Sequence, residues 1–136
     1  MRAESWRWVL RTAFFLYAVV LFGATHWPAL RIEGSGRPDL IVHLAAFGLW
    51  TLALNLAGFW GPRFSVRNVL ISGAVAVMYA AFDEGTQAIP ALQRTAAWDD
   101  YLANVSGIVL ASLTCLGAGA FIGLTKNRAS GVHDGN

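Results

Sequence analysis

Charge is what this sequence has least of. Asp, Glu, Lys and Arg make up 13% of its 136 residues, about half the share near 25% that soluble domains carry. Apolar residues fill 56%, and mean hydropathy is +0.50. No long polar region balances that bias, so the expected solvent is a membrane and the length is enough for one domain. The ten basic residues flank apolar runs and do not cluster, which argues against a nucleic-acid partner. A single cysteine, Cys115, excludes an intrachain disulfide. No glycine-rich phosphate loop follows a strand pattern, and no cofactor is expected. No Ser, Thr or Cys stands in an obvious nucleophile setting, which leans away from an enzyme.

What is present is a series of charge-poor runs. Thr12–Leu30 and Leu40–Pro62 are two. Arg67–Arg94 encloses a third, broken by Asp83 and Glu84, and Tyr101–Thr125 is the fourth. Each approaches or exceeds the ~20 residues of a membrane-crossing helix. Lipid cannot satisfy open backbone groups, so helices are the expected form. The short polar connections predict an all-α, integral membrane four-helix bundle with up-down topology over residues 1–126. Residues 127–136 read as a disordered polar tail. A cleaved signal peptide is a weaker reading of the first run, because its uncharged stretch is long and Trp27 stands where an interfacial anchor belongs.

Basic residues set the orientation. One side carries Arg2, Arg7, Arg11, Arg63, Arg67, Lys126 and Arg128, the other Arg31, Arg37 and Arg94. That asymmetry predicts cytoplasmic termini. Trp6, Trp8 and Trp60 then mark the inner interface, and Trp27 and Trp98 the outer one. Trp50 falls mid-span and is expected to pack in the core. Gly119 with Gly123, and Ala103 with Gly107 and Ala111, have the small-residue spacing that lets helices approach closely. Packing within the bundle is the plainer reading, and an oligomer contact the sharper one.

The remaining polarity is concentrated in Phe82–Gly107. Seventeen residues of helix from Arg67 carry the chain about 25 Å, so Glu84 stands near the outer end of the third span. Gln87 is three residues on and shares its face. Asp100 and Asn104 open the fourth span one turn apart, and Asp39 and His43 open the second in the same way. Isolated polar groups are costly in lipid, so these are expected to face one another. The predicted site is a cup of Asp39, His43, Glu84, Gln87, Asp100 and Asn104, with Arg94 folding over it from the connecting loop. Asp83 is expected to turn away toward interfacial water. Plainer roles compete: Asp39 and Asp100 as helix-start residues, His43 as an interhelical hydrogen-bonder, and Arg94 as a counter-ion.

In order, Asp39-x-x-x-His43-x-x-x-Phe47, Glu84-x-x-Gln87, Arg94 and Asp100-x-x-x-Asn104-x-x-Gly107 resemble the VanZ-like family of bacterial membrane proteins. The match covers about Asp39 to Leu124. The chain departs from that pattern at Leu40, where lysine is common, and at Ala91-Leu92-Gln93, which separates Pro90 from Arg94. The resemblance implies a bundle in the bacterial inner membrane. The family's named member is associated with resistance to the glycopeptide antibiotic teicoplanin, and most members have no known biochemical role.

Three functions are compatible with these residues. The leading one is a cell-envelope protein whose cup binds a lipid head group or a lipid-linked cell-wall precursor. The second is a structural or accessory subunit, in which the polar groups lock helices together and small-residue faces meet another copy or other membrane chains. The third is a membrane enzyme using acid–base or metal chemistry, with His43, Glu84 and Asp100 as the ligand set. A transporter is disfavoured, because transport sites usually lie near the midplane on broken helices.

Overall fold

The computed structural model describes residues 2–27, 36–89 and 97–131. Four helices follow in order: α1 (Arg2–Thr25), α2 (Pro38–Ala57), α3 (Val66–Gln87) and α4 (Trp98–Gly131). No strand occurs among the described residues. All four helices are long and apolar enough to cross a membrane. Their outer surface is apolar too: Val19, Met78 and Phe121 are 71%, 72% and 68% exposed. A soluble monomer does not present so much apolar surface to water, whereas a bundle in lipid does.

Local chemistry sets the helix ends. Pro38 starts α2, where its missing N–H costs nothing. Gly58, at φ 61°, ends it in the left-handed region, its N–H returning to the Asn55 carbonyl at 3.1 Å. Ser65 caps α3 by accepting from the Asn68 N–H. Two helices are longer than the charge-free runs predict. α1 begins ten residues before Thr12, and α4 continues past Thr125 into the expected tail, with no glycine or proline to stop it before Gly131.

The α1 extension has a physical reason. Arg11 Nε and Nη2 donate to the carbonyls of Ala57 and Gly58 at 3.3 and 3.4 Å, and the guanidinium lies 4.8 Å over the Phe59 ring. Arg63 donates to the Leu56 carbonyl at 2.9 Å. Arginines that set the orientation in the sequence thus also satisfy the open C-terminal carbonyls of α2.

At this end the start of α1 meets the end of α2, while at the other end Thr25 of α1 meets Asp83 of α3. The helices therefore run up and down. The core lies between Phe14, Phe47, Trp50, Leu54, Ala76, Ala80 and Ile108. Trp50 stacks on Tyr79 with ring centroids 5.0 Å apart, as a mid-span packing residue should.

α2 and α4 make the most extensive contact in the molecule. It depends on Gly107, where a β-carbon would collide with the backbone carbonyl of Leu44. Gly119 is likewise pressed against the Phe64 carbonyl, whereas a β-carbon at Gly123 would meet nothing. Gly107 and Gly119 are thus spent on packing inside the chain.

Candidate functional site

Where α1 and α3 end and α2 and α4 begin, the polar side chains collect in two buried clusters and a mouth. The first cluster joins three helices. His43 Nδ1 lies 3.0 Å from Asn104 Oδ1, and Asn104 Nδ2 donates to Glu84 Oε1 at 3.3 Å. Glu84 Oε2 accepts from the Ala97 backbone N–H at 3.4 Å. His43 Nε2 faces Asp100 Oδ2 at 3.6 Å, and Nδ1 lies 4.0 Å from Glu84 Oε1. His43 and Asn104 each stand about one and a half turns into their helices and Glu84 about one turn before the end of α3. All three therefore reach the same depth, and the close approach at Gly107 draws α2 onto α4 just below them.

The second cluster joins α1 to α3. Asp83 is fully buried, accepting from Thr25 Oγ1 at 2.7 Å and Gln87 Nε2 at 3.0 Å, with His26 Nδ1 at 3.6 Å. His26 Nε2 in turn lies 2.7 Å from Thr86 Oγ1, and its ring stacks on Phe22. This overturns the expectation that Asp83 faces interfacial water. A carboxylate buried at this depth is tolerated only with such partners. It also places the Gln87 amide on Asp83, to which Nε2 donates at 3.0 Å.

The mouth is ionic. Arg37 Nη2 pairs with Asp99 at 2.6 Å and Asp39 at 3.0 Å, and stands 3.9 Å from Asp100 Oδ1. Hydrogen bonds to Asp39 and then Asp99 raise the Arg37 guanidinium further above its ordinary range, so it stays charged. Asp39 is accordingly a rim residue, one turn above His43. Arg94 lies outside the described residues. The arginine found beside the carboxylates is Arg37, which the sequence reading used only for orientation.

Comparison with protein-family models, curated proteins and solved structures gave no match.

Chemically, then, the site consists of one imidazole, one amide and two carboxylates from α2, α3 and α4. One ligand atom from each of His43, Glu84 and Asp100 lies within 4.8 Å of the other two. Beside Glu84 a cleft of about 410 Å³ opens between α3 and α4, lined by Ala81, Gly85, Ala97, Trp98 and Tyr101. It joins an apolar wall to a polar edge. His26 and Arg37 are the participants the sequence reading missed. His26 follows Thr25, the last residue of α1, inside the Thr12–Leu30 run, and Arg37 immediately precedes the Pro38-Asp39 helix start. Position relative to a helix end was the available signal.

Proposed function

We propose that this chain is a VanZ-like integral membrane protein of the bacterial cell envelope. In this reading both termini are cytoplasmic and the polar end of the bundle faces outward. Its function is to bind the head group of a lipid or of a lipid-linked cell-wall precursor. The observation that carries the proposal is the continuity of the Glu84 cluster with the cleft between α3 and α4. An amphiphile needs an apolar wall for its chain and a polar edge for its head. Ala81, Gly85, Trp98 and Tyr101 supply the first, and Glu84, the cluster residue that lines the cleft, the second. Trp98, 82% exposed, is an aromatic group of the kind that settles at head-group depth. The excess of basic residues at the opposite end supports the orientation.

The test is to fill the cleft without touching the polar groups. Ala81 is exposed on α3 and lines the cleft, so Ala81→Leu occupies the wall. In detergent, phosphate-bearing envelope lipids are expected to raise the melting temperature of the wild type, with the rise much reduced in Ala81→Leu. No rise with any envelope lipid, or an equal rise in both proteins, overturns the reading in favour of a purely structural cluster.

A further inference from the structure

We infer that His43, Glu84 and Asp100 form a site for a divalent metal cation of the manganese or zinc class, with Asn104 orienting the imidazole. The argument begins with Asn104, whose amide has one donating and one accepting end. Its Nδ2 donates to Glu84 Oε1 at 3.3 Å. The reverse orientation would set two oxygens against each other. Oδ1 therefore faces His43 Nδ1 at 3.0 Å and accepts, so Nδ1 carries the hydrogen.

In a neutral ring the lone pair then sits on Nε2. That atom faces Asp100 Oδ2 across 3.6 Å. Lone pair against carboxylate is repulsive unless a positive centre lies between them, either a proton on Nε2 or a metal ion. Several features favour the ion. A ring whose far N–H is held by a fixed acceptor is the usual arrangement of a ligating histidine. Glu84 supplies a third donor: one nitrogen of the His43 ring and one oxygen of each carboxylate lie within 4.8 Å of one another. Atoms so spaced sit no more than about 2.8 Å from a common centre, and Glu84 Oε1, 4.0 Å from Nδ1, turns toward the Nε2 edge of the ring to share the ion, so side-chain shifts of roughly an ångström give bonding distances. Asp100 Oδ1 is buried with no hydrogen-bond partner among the described residues. The nearby Arg37 is shared with Asp39 and Asp99, which it approaches more closely. Two carboxylates in such surroundings call for a cation. One imidazole with two carboxylates is a hard-to-borderline donor set that suits manganese or zinc.

Three protein ligands leave coordination positions open, and Glu84 also borders the cleft between α3 and α4. An ion there gives a site lined by carboxylates the positive charge that a phosphate head group requires. That last role rests on the head-group reading above, whereas the cation site stands without it.

The experiment uses the full chain in detergent, stripped of metal with a chelator and titrated with Mn2+. Stoichiometric binding is expected, with nitrogen hyperfine coupling from one imidazole in pulsed electron paramagnetic resonance. Asp100→Asn should weaken binding by at least about tenfold. No Mn2+ or Zn2+ binding to folded wild type overturns the site and leaves a proton in the gap. Binding without nitrogen coupling, or with unchanged affinity in Asp100→Asn, overturns it as an ion held elsewhere. If Asp100→Asn fails to fold, the nitrogen coupling of the wild type decides. The stabilisation by phosphate-bearing lipids should disappear with chelator. If it persists, the bridging role is overturned while the head-group reading stands; if Ala81→Leu also leaves it unchanged, that reading falls separately.

Discussion

Replacing Gly107 with alanine adds one methyl group at the place where α2 and α4 touch. The new carbon would collide with the Leu44 backbone carbonyl, and Gly48 N lies only 3.0 Å away. Neither is the tip of a flexible side chain, so the helices must part. Restoring a carbon–oxygen separation of about 3.3 Å requires a movement of roughly an ångström. Overpacking of this kind costs about 1–3 kcal/mol, and more where backbone resists. Against it stands a gain in helix propensity of at most about 1 kcal/mol. Net destabilisation is therefore expected. The same movement acts on the site, because Asn104 lies one turn above Gly107. An ångström added to the 3.0 Å between His43 and Asn104 breaks that hydrogen bond. Unfolding in mixed micelles, with Gly107→Ala beside Gly123→Ala, reads the effect. Gly123→Ala, where a β-carbon meets nothing, should be neutral. Equal stability of the two variants would refute the close-approach argument.

Other substitutions give further expected outcomes. Thr25→Val removes a 2.7 Å hydrogen bond to the buried Asp83 and should cost about 1–3 kcal/mol, read by the same unfolding assay. Ser106→Ala, which loses a bond within its own helix on an exposed face, should not. Arg11→Met removes the arginine donor of the Ala57 carbonyl and leaves Gly58 with the longer bond from Arg7, and should cost about 1–2 kcal/mol, whereas Met at the exposed Arg67 should be close to neutral. Arg37→Gln should barely change stability at moderate salt, since Arg37 is exposed and its partners Asp39 and Asp99 are partly so. It should tighten Mn2+ binding several-fold in a titration, by removing a positive charge 3.9 Å from Asp100. Weaker binding would contradict the ligand set.

The four helices were legible because lipid imposes one rule on the whole chain: few charges over about 20 residues. Their ends were less legible, because that rule cannot see arginines doing structural work. Arg7 and Arg11 lie inside α1, bonded to the end of α2. The spacing of His43, Glu84, Asp100 and Asn104 fixed their depth, and the structure brings these four together. Gln87 shows the limit of periodicity. It stands three residues from Glu84 and four from Asp83, and both spacings place side chains on one face. Its bond is to Asp83, whose other partner, Thr25, is 58 residues away. A contact that distant leaves no local trace, which is why Asp83 was expected in water.

The geometry stands or falls on side chains from α2 and α4 meeting in one pocket. A double-mutant cycle on unfolding, with His43→Ala, Asn104→Ala and the pair, measures that meeting directly. The shared pocket predicts a coupling of about 0.5–1.5 kcal/mol, while His43 with Asn68, from the opposite end of the bundle, should add independently. Strict additivity of His43 and Asn104 would contradict the pocket.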